Sequence, residues 1–201
     1  MRIISGSARG RRLTAPSAKD NSIRPTADRA REALFSILGP RVVNSVVLDL
    51  FAGTGALGLE AFSRGAERVV LVDKGHTSIK ILQKNLSIFP DIHQHNNDII
   101  VIKDDLTRPG FVKKIPHSVT PRFNIIFADP PYGKDLSLPI LEYISKKNIL
   151  SDDGVIVIEE RHSIILPEQL SHLTLIDRRT YGETGFSFFE PSVNTNNLND
   201  D

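Results

Sequence analysis

Five apolar runs, alternating with helical segments, constrain the fold of this chain most. The runs do not alternate apolar with polar residues, which is typical of strands buried on both faces of a parallel sheet. Segments with helical spacing lie at 55–64, 76–89 and 135–148. The sequence therefore predicts an α/β fold with a mostly parallel sheet, whose strands fall at 45–51, 68–73, 98–105, 123–132 and 154–160.

The two ends of the chain depart from this alternation. After Pro167, two strand-like runs joined by Gly182-Glu183-Thr184 predict a closing antiparallel hairpin. Residues 2–15 place short apolar pairs around Ser5-Gly6-Ser7, which favours a small hairpin or an extended arm, and Thr26 is a good N-cap for the first helix. We expect a basic N-terminal arm at 1–23, one main folded domain at 24–191 and a disordered polar tail at 192–201.

The chain of 201 residues contains no cysteine. This composition excludes disulfides, cysteine-ligated metals and any mechanism that needs a thiolate nucleophile, such as methylation at C5 of cytosine. The opening segment lacks the apolar core of a signal peptide, and no run approaches the length of a membrane span. The expectation is a soluble, cytoplasmic protein that does not contact a membrane.

Positive charge is concentrated near the N-terminus. Residues 1–31 contain eight Arg and Lys side chains and two Asp, whereas the whole chain has a formal net charge of +1. A basic arm on a mildly acidic body is typical of a protein that binds a phosphate backbone, although a solvated leader would show the same pattern. Arg29 and Arg31 are expected on the side of the first helix opposite its buried face. The candidate RNA-binding residues are Arg9, Arg11, Arg12, Arg24, Arg29 and Arg31.

A glycine-rich turn follows the first predicted strand. Gly53-Thr54-Gly55-Ala56-Leu57-Gly58 matches G-x-G-x-x-G, which indicates close approach of backbone to a ligand at the start of a helix. Asp73 lies 20 residues after Gly53, at the end of the second strand, where a carboxylate can hold the hydroxyls of a ribose. NAD and S-adenosylmethionine both fit this pattern, so the turn alone leaves the cofactor open.

The fourth predicted strand ends in Asp129-Pro130-Pro131-Tyr132, which points to transfer of a methyl group to an exocyclic amine. The Asp129 carboxylate and the Pro130 carbonyl can accept the two N–H bonds of such an amine and favour a pyramidal nitrogen. Tyr132 offers a ring on which an unstacked base can lie. No strong base is needed, because the methylated nitrogen loses its proton readily and alignment supplies most of the catalysis.

Two further groups of residues are weaker candidates. Asp104 and Asp105 end the third strand, and we choose Asp105, which precedes Leu106, as the contact to an adenine amine. His93 and His95 form an H-x-H in a polar loop, but no other ligands accompany them, so no metal site is predicted.

Several long stretches make the chain recognisable. It resembles, over nearly its whole length, the RsmD-type family of bacterial 16S rRNA (guanine-N2) methyltransferases. The resemblance rests on "RIISGSARGRRL", "RPTADRAREALFSIL" at 24–38, "LDLFAGTGALGLEAFSRGA" at 48–66, "DPPY" at 129–132 and "YGETGFSFF" at 181–189. It implies a Rossmann-like class I methyltransferase fold with a seven-stranded sheet, S-adenosylmethionine as cofactor, and 16S rRNA, free or in an assembling small subunit, as substrate. We also expect the protein to be a monomer.

Carried over to matching positions, the resemblance assigns catalytic roles to Asp129, Pro130, Pro131 and Tyr132. The two departures from the family pattern are Asp105, where some members carry Asn, and Gly75-His76 after Asp73. The implied cofactor-binding residues are Asp49, Phe51, Ala52, Gly53, Thr54, Gly55, Asp73, Lys74, Asp105 and Leu106.

Rival functions fit the sequence less well. A DNA adenine-N6 methyltransferase shares the Asp-Pro-Pro-Tyr motif, but 201 residues leave little room for a domain that reads DNA. A methyltransferase for glutamine amides would not need the basic arm. An NAD-dependent oxidoreductase would have no use for the Asp-Pro-Pro-Tyr motif. A non-catalytic RNA-binding module would need neither motif.

Overall fold

A single eight-stranded sheet organises the protein. The computed structural model describes residues 1–15, 28–89, 98–108, 110–116, 119 and 122–192. The strand order is β3-β2-β1-β4-β5-β8-β7-β6, with β3 to β5 parallel and the last three strands antiparallel. The strands are β1 (Val46–Leu50), β2 (Arg68–Asp73), β3 (Ile99–Lys103), β4 (Phe123–Ala128), β5 (Leu150–Arg161), β6 (Gln169–Leu170), β7 (Leu173–Tyr181) and β8 (Thr184–Pro191).

Helices cover both faces of this sheet. The first three pack over one face, with Val47, Ile125 and Phe127 in their core, and the fourth packs over the other face, against Leu48 and Ile126. Every residue of β1 is buried, as the continuous apolar run predicts for a central strand. The helices are α1 (Asp28–Leu38), α2 (Ala56–Ser63), α3 (His76–Leu86) and α4 (Ser137–Lys147), and 3₁₀ turns lie at Gly39–Val42 and Phe111–Lys114.

The predicted parallel strands and the closing hairpin are confirmed, although several strand bounds differ and one short strand is added. Strand β5 begins at Leu150, four residues before the predicted start, because Leu150 pairs with Phe123 before a register shift. The short β6 pairs with β7 and adds an eighth strand to the seven expected. Two residues, Gly182 and Glu183, make the hairpin turn, since Thr184 already belongs to β8.

The N-terminal segment is part of the main core. Arg2 and Arg12 form one antiparallel bridge, so residues 2–12 fold back as a narrow loop. Ile3, Ala8 and Leu13 are buried in the same cluster as the first helix and the sheet. The predicted boundary at residue 23 and the predicted N-cap Thr26 lie outside the described residues, as does all of the predicted tail except Ser192.

Glu60 of α2 joins this segment to the helices. Its side chain is fully buried, and its carboxylate accepts the N–H groups of Ile4 at 2.7 Å and Ser5 at 3.0 Å. The same carboxylate pairs with Arg64 at 2.7 Å and lies 3.8 Å from the Nε of Arg31. One buried acid therefore links the N-terminal segment, α1 and α2.

Gly6 lets the segment approach the end of α2. Its φ is +82°, and a Cβ at this position would lie 1.7 Å from the carbonyl oxygen of Ser63. Ser7 donates its N–H to that oxygen at 2.7 Å, and Ala8 donates to the Ser63 hydroxyl at 2.9 Å. The Ser-Gly-Ser stretch therefore caps the C-terminal end of α2, because the last carbonyls of a helix have no partner within it.

Within the described part of the chain, no helix is both long enough and apolar enough to cross a membrane.

Candidate active site

The carboxyl ends of β1, β2, β3, β4 and β5 surround a cavity of about 470 Å³. It lies where the connections of β1 and β4 diverge to opposite sides, the position where open α/β sheets bind ligands. Among the predicted site residues, those that line it are Asp49, Phe51, Ala52, Gly53, Thr54, Asp73, Lys74, Leu106, Asp129, Pro130, Pro131 and Tyr132.

The glycine-rich turn forms one wall, but two of its glycines serve internal packing. A Cβ at Gly58 would lie 2.4 Å from Leu71 and 2.9 Å from Val69, so glycine allows α2 to lie close to β2. Gly55, with φ of +77°, is the N-cap of α2 and does not line the cavity. Only Gly53 of the three both lines the cavity and belongs to the turn. The motif therefore specifies the close packing of strand and helix as much as contact with a ligand.

Asp73 at the end of β2 is held by two backbone amides. Its Oδ2 accepts the N–H of Gly53 at 2.9 Å and its Oδ1 accepts the N–H of Gly75 at 2.7 Å. A carboxylate oxygen can accept more than one hydrogen bond, so both oxygens can still accept from a ligand. The two amides fix the orientation of the carboxylate, which is what a pair of ribose hydroxyls requires.

Asp49 forms the buried floor of the cavity. Its Oδ2 accepts the N–H of Gly58 at 2.9 Å, and the residue is 2% exposed. Burial raises the pKa of Asp49 to about 7 against the Gly58 hydrogen bond, and the charges of Asp73 and Glu159 raise it further. Positive charge in the cavity would relieve this cost and favour the ionised form.

Replacing Asp49 by Asn should stabilise the ligand-free protein more at pH 8 than at pH 5. The pKa of Asp49 is about 7 in the folded protein and 3.8 when the chain is unfolded. The free energy of unfolding therefore decreases as the pH rises from about 3.8 to 7, and above pH 7 the full cost of ionising the buried carboxyl is present. Asn has no such penalty, and we expect its advantage to grow by about 2–3 kcal/mol from pH 5 to pH 8.

Urea denaturation of both proteins at the two pH values measures this difference. Asp153→Asn, at an exposed position on β5, is the matched control and should show no growth. An Asp49→Asn advantage that is equal at pH 5 and pH 8 would contradict the raised pKa.

The Asp-Pro-Pro-Tyr motif directly follows β4 and lines the same cavity. The N–H of Asp129 lies 3.4 Å from the carbonyl of Leu50, which keeps the start of the motif beside β1. Burial raises the pKa of Tyr132 to about 12, the negative charge of Glu159 adds to this, and a hydrogen bond with Thr184 opposes it. The phenol is therefore neutral at ordinary pH and cannot act as a general base.

Sequence reasoning missed Glu159 and Arg161, which also line the cavity. Both lie at the carboxyl end of β5, and Glu159 is buried whereas Arg161 is exposed. The guanidinium of Arg161 lies 5.5 Å from the centre of the Tyr132 ring, in cation–π contact. The sequence contained a signal for both residues. Ligands of open α/β sheets bind at the carboxyl ends of the strands, and this holds for the fifth predicted strand as it does for the first four.

The structure does not bring the predicted adenine contact, Asp105, into the lining of the cavity. Asp104 lines the cavity and Asp105 does not, because the Asp105 carboxylate turns back to the hydroxyl and N–H of Thr107 at 2.8 and 3.1 Å. These two bonds lower the pKa of Asp105, with a smaller contribution from Lys74. Asp104 instead pairs with Lys114 at 2.7 Å.

Carboxylates outnumber cations around the cavity. Five line it, and the two cationic side chains among the lining residues are Lys74 and Arg161. Such a cavity favours a ligand with positive charge, such as a sulfonium, and disfavours the pyrophosphate of NAD. Its volume lies within the usual range of small-molecule and cofactor sites. The carboxylates that line it are Asp49, Asp73, Asp104, Asp129 and Glu159.

The predicted exposure of Arg31 is wrong. Its side chain is fully buried, and Nη2 donates to the carbonyl of Arg2 at 2.5 Å and to Asp28 at 3.0 Å. The apolar face of α1 carries Arg31 inward, where the buried Glu60 partly balances its charge. Arg24 lies outside the described residues, and the exposed members of the predicted set are Arg9, Arg11, Arg12 and Arg29.

Within the described ranges, no three His, Cys, Asp or Glu side chains are arranged to hold a metal ion. His93 and His95 lie outside those ranges.

Comparison with known proteins gives the family. The family model described as conserved hypothetical protein 95 matches residues 1–190. Ribosomal RNA small subunit methyltransferase D of Escherichia coli is 32% identical over 190 residues, covering 94% of this chain and 89% of the relative. The chain belongs to the RsmD-type methyltransferase family. YlbH of Bacillus subtilis is another relative, 36% identical over 193 residues that cover 94% of this chain and 98% of YlbH.

Solved structures agree with the RsmD-type assignment. YhhF from Escherichia coli superposes with a TM-score of 0.77 at 29% identity, covering 96% of this chain and 99% of YhhF. A Thermus thermophilus protein superposes with a TM-score of 0.75 at 30% identity, covering 94% and 99% of the two chains. The predicted Rossmann-like methyltransferase fold is confirmed, and the protein is a methyltransferase.

Proposed function

We propose that this protein methylates the exocyclic N2 amine of a guanine in small-subunit (16S) ribosomal RNA, with S-adenosylmethionine as the methyl donor. One observation carries the proposal: the Asp129 to Tyr132 motif lines the same acidic cavity as Asp49 and Asp73. A cationic methyl donor and a nucleobase amine can thus be held side by side. Relatives named ribosomal RNA small subunit methyltransferase D support rRNA as the substrate.

The residues of the cavity fit the donor. S-adenosylmethionine, when bound, supplies a methyl group activated by a sulfonium charge. Asp73, held by two backbone amides, would bind the ribose hydroxyls, and the acidic floor at Asp49 would favour the positive charge. Phe51, Thr54 and Leu106 would line the adenosine and methionine parts of the pocket.

The motif on β4 would hold the target base. The Asp129 carboxylate and the Pro130 carbonyl would each accept one N–H of the amine, which directs the nitrogen lone pair towards the methyl group. Tyr132 would stack on the base, and its neutral phenol leaves proton removal to solvent after the methyl has transferred. Catalysis then rests on alignment and on hydrogen bonds that strengthen in the transition state.

The test is transfer of tritiated methyl groups to small-subunit rRNA and to partly assembled subunits from a strain that lacks the activity. Nucleoside analysis of the product should give N2-methylguanosine. Label in N6-methyladenosine of DNA, with none in rRNA, would replace the proposal by the DNA alternative.

The choice of cofactor gives a separate prediction. Calorimetry should show binding of S-adenosylmethionine and no binding of NAD, because the acidic cavity repels a pyrophosphate. Asp73→Ala should weaken S-adenosylmethionine binding by about 1.5–3 kcal/mol, the usual cost of losing hydrogen bonds to a charged group. Tighter binding of NAD would overturn the cofactor assignment, and an unchanged affinity in the variant would move the ribose contact away from Asp73.

The exposed arginines of the N-terminal segment give a prediction about affinity. Replacing Arg9, Arg11 and Arg12 together by Ala should weaken rRNA binding and reduce its salt dependence, since each phosphate contact contributes roughly 0.7–0.9 to the slope of log K against log salt. Binding of S-adenosylmethionine should stay unchanged. Filter binding from 50 to 200 mM salt, about the range over which such contacts weaken strongly, measures the slope. A slope equal to that of the parent protein would make the segment a structural element only.

A further inference from the structure

We propose that a stripe of side chains, formed by Tyr132, Arg161, Thr184 and Tyr181, is a second RNA contact surface. Resting on the proposed function, it would bind the single-stranded RNA that adjoins the target nucleotide. The stripe begins at the cavity wall with Tyr132 and Arg161 and continues across β8 to β7.

Strand register places these side chains in one row. Arg161 of β5 pairs with Thr184 of β8, and Thr184 pairs with Tyr181 of β7. Directly paired residues of neighbouring strands point to the same face of a sheet, and neighbouring strands are about 4.8 Å apart. Tyr132 joins the row through its hydrogen bond with Thr184. The row therefore extends about 10 Å from Arg161 to the strand of Tyr181.

Arg161 is the cation of this stripe. Its side chain is exposed, and among the described residues no carboxylate forms an ion pair with it. Its guanidinium contacts the Tyr132 ring instead. A phosphate that lies against Arg161 would therefore belong to the nucleotide at Tyr132 or to its neighbour.

Tyr181 supplies a second aromatic ring at the far end of the stripe. Its ring packs at 6.0 Å from that of Phe186, which fixes its position, and the residue remains partly exposed. Single-stranded nucleic acids bind to surfaces that combine cations with aromatic rings, because any base can stack on an exposed ring. Tyr132, Arg161 and Tyr181 supply this combination in the order ring, cation, ring.

The charge of the cavity explains why such a contact is needed there. The carboxylates around the cavity repel the phosphates of an entering nucleotide. Arg161 lines the same cavity, and its positive charge would offset this repulsion. Within the N-terminal segment, the Gly6 turn caps the far end of α2, a helix of 8 residues and hence about 12 Å long, whose first turn lines the cavity.

Fluorescence anisotropy with a fluorescein-labelled single-stranded RNA of about 12 nucleotides, containing one guanine, tests the stripe, since single-strand sites typically span about 4–16 nucleotides. Arg161→Ala should lower affinity about tenfold and reduce the salt slope by roughly 0.7, the value for one phosphate on a single strand. Tyr181→Ala should lower affinity by about five- to 150-fold, as expected for loss of one stacked base, whereas Tyr181→Phe should bind like the parent protein.

Arg122→Ala is the matched control, because Arg122 pairs with Asp152 near the amino ends of β4 and β5, whereas the cavity lies at the carboxyl ends. Its RNA affinity and rRNA methylation should equal those of the parent protein. Calorimetry with S-adenosylmethionine should show normal binding by Tyr181→Ala and so verify that the variant is folded.

The outcomes separate the stripe from the proposed function. If the parent protein methylates rRNA while Arg161→Ala and Tyr181→Ala bind RNA like Arg122→Ala, the stripe is overturned and the proposed function stands. If the parent protein neither binds nor methylates RNA, the proposed function fails and the stripe fails with it. A higher KM for rRNA in Tyr181→Ala at an unchanged kcat supports the stripe.

Discussion

Asp129→Ala should reduce methyl transfer to rRNA by about 10²–10³-fold while binding of S-adenosylmethionine changes little. The magnitude is that of removing one preorganised hydrogen-bonding group from a transition state. Asp129 follows β4 and Asp73, the proposed ribose contact, ends β2, and these two strands lie on opposite sides of β1. Loss of the side chain should therefore appear in kcat and not in cofactor affinity. Single-turnover methylation, with calorimetry for the cofactor, measures both.

Asp129→Asn separates the loss of the negative charge from the loss of the hydrogen-bond acceptor. The amide keeps one oxygen that can accept from the target amine but loses the negative charge, so its rate should fall between those of Ala and the parent protein. Asp153→Ala, at an exposed position on β5, serves as the control. Near-normal turnover by Asp129→Ala would reduce the motif to a rigid turn after β4.

The largest effect on stability should come from Glu60→Ala, with a loss of about 3–5 kcal/mol. Removing one partner of a buried ion pair leaves the other charge poorly compensated, here that of Arg31, whose remaining partner is the half-exposed Asp28. The N–H groups of Ile4 and Ser5 would lose their acceptor at the same time. Urea denaturation at pH 7 measures the free energy of unfolding, and a loss below about 1 kcal/mol would show that Glu60 does not hold the segment in place.

Two further variants keep this test decisive if Glu60→Ala is too unstable to purify. The double variant Glu60→Met with Arg31→Met removes both charges and should be more stable than Glu60→Ala, because apolar residues can replace a buried pair. Ser63→Ala, which loses only the bonds to Ser5 and Ala8, should cost about 1–2 kcal/mol. Glu67→Ala, at an exposed position beside Arg68, is the control for loss of a surface acid.

The sequence was most informative where burial leaves a periodic pattern. The runs around Leu48, Val70 and Ile126 contain no polar alternation because both faces of these strands are covered by helices, so strand and layer order could be inferred together. The two-residue β6 is too short to have a period. The first part of β5 carries Asp152-Asp153-Gly154, a combination that resembles a turn, and only its pairing with β4 makes it a strand.

The sequence predicted which strand ends line the site. It did not predict the direction in which each side chain points. The end of β3 was identified, yet Asp104 and Asp105 are adjacent acids, and only the three-dimensional structure shows that Thr107 turns Asp105 away. Arg31 was misassigned because an arginine on a short helix is usually solvated, and its partner Glu60 lies 29 residues later. Glu60 itself, an acid within the apolar stretch of α2, was the signal that this helix contains a buried charge.

The contacts of the N-terminal segment impose an order on the synthesis of the protein. Ile4, Ser5 and Ala8 leave the ribosome early, but their partners Glu60 and Ser63 follow 55 or 56 residues later. At about 5–20 residues per second, the segment waits for roughly 3–11 seconds before α2 emerges. During this interval Ile3 and Leu13, buried in the finished protein, have no core to enter. These residues therefore reach their final positions only well after they are translated, and slow translation through α2 would prolong their exposure to chaperones and proteases.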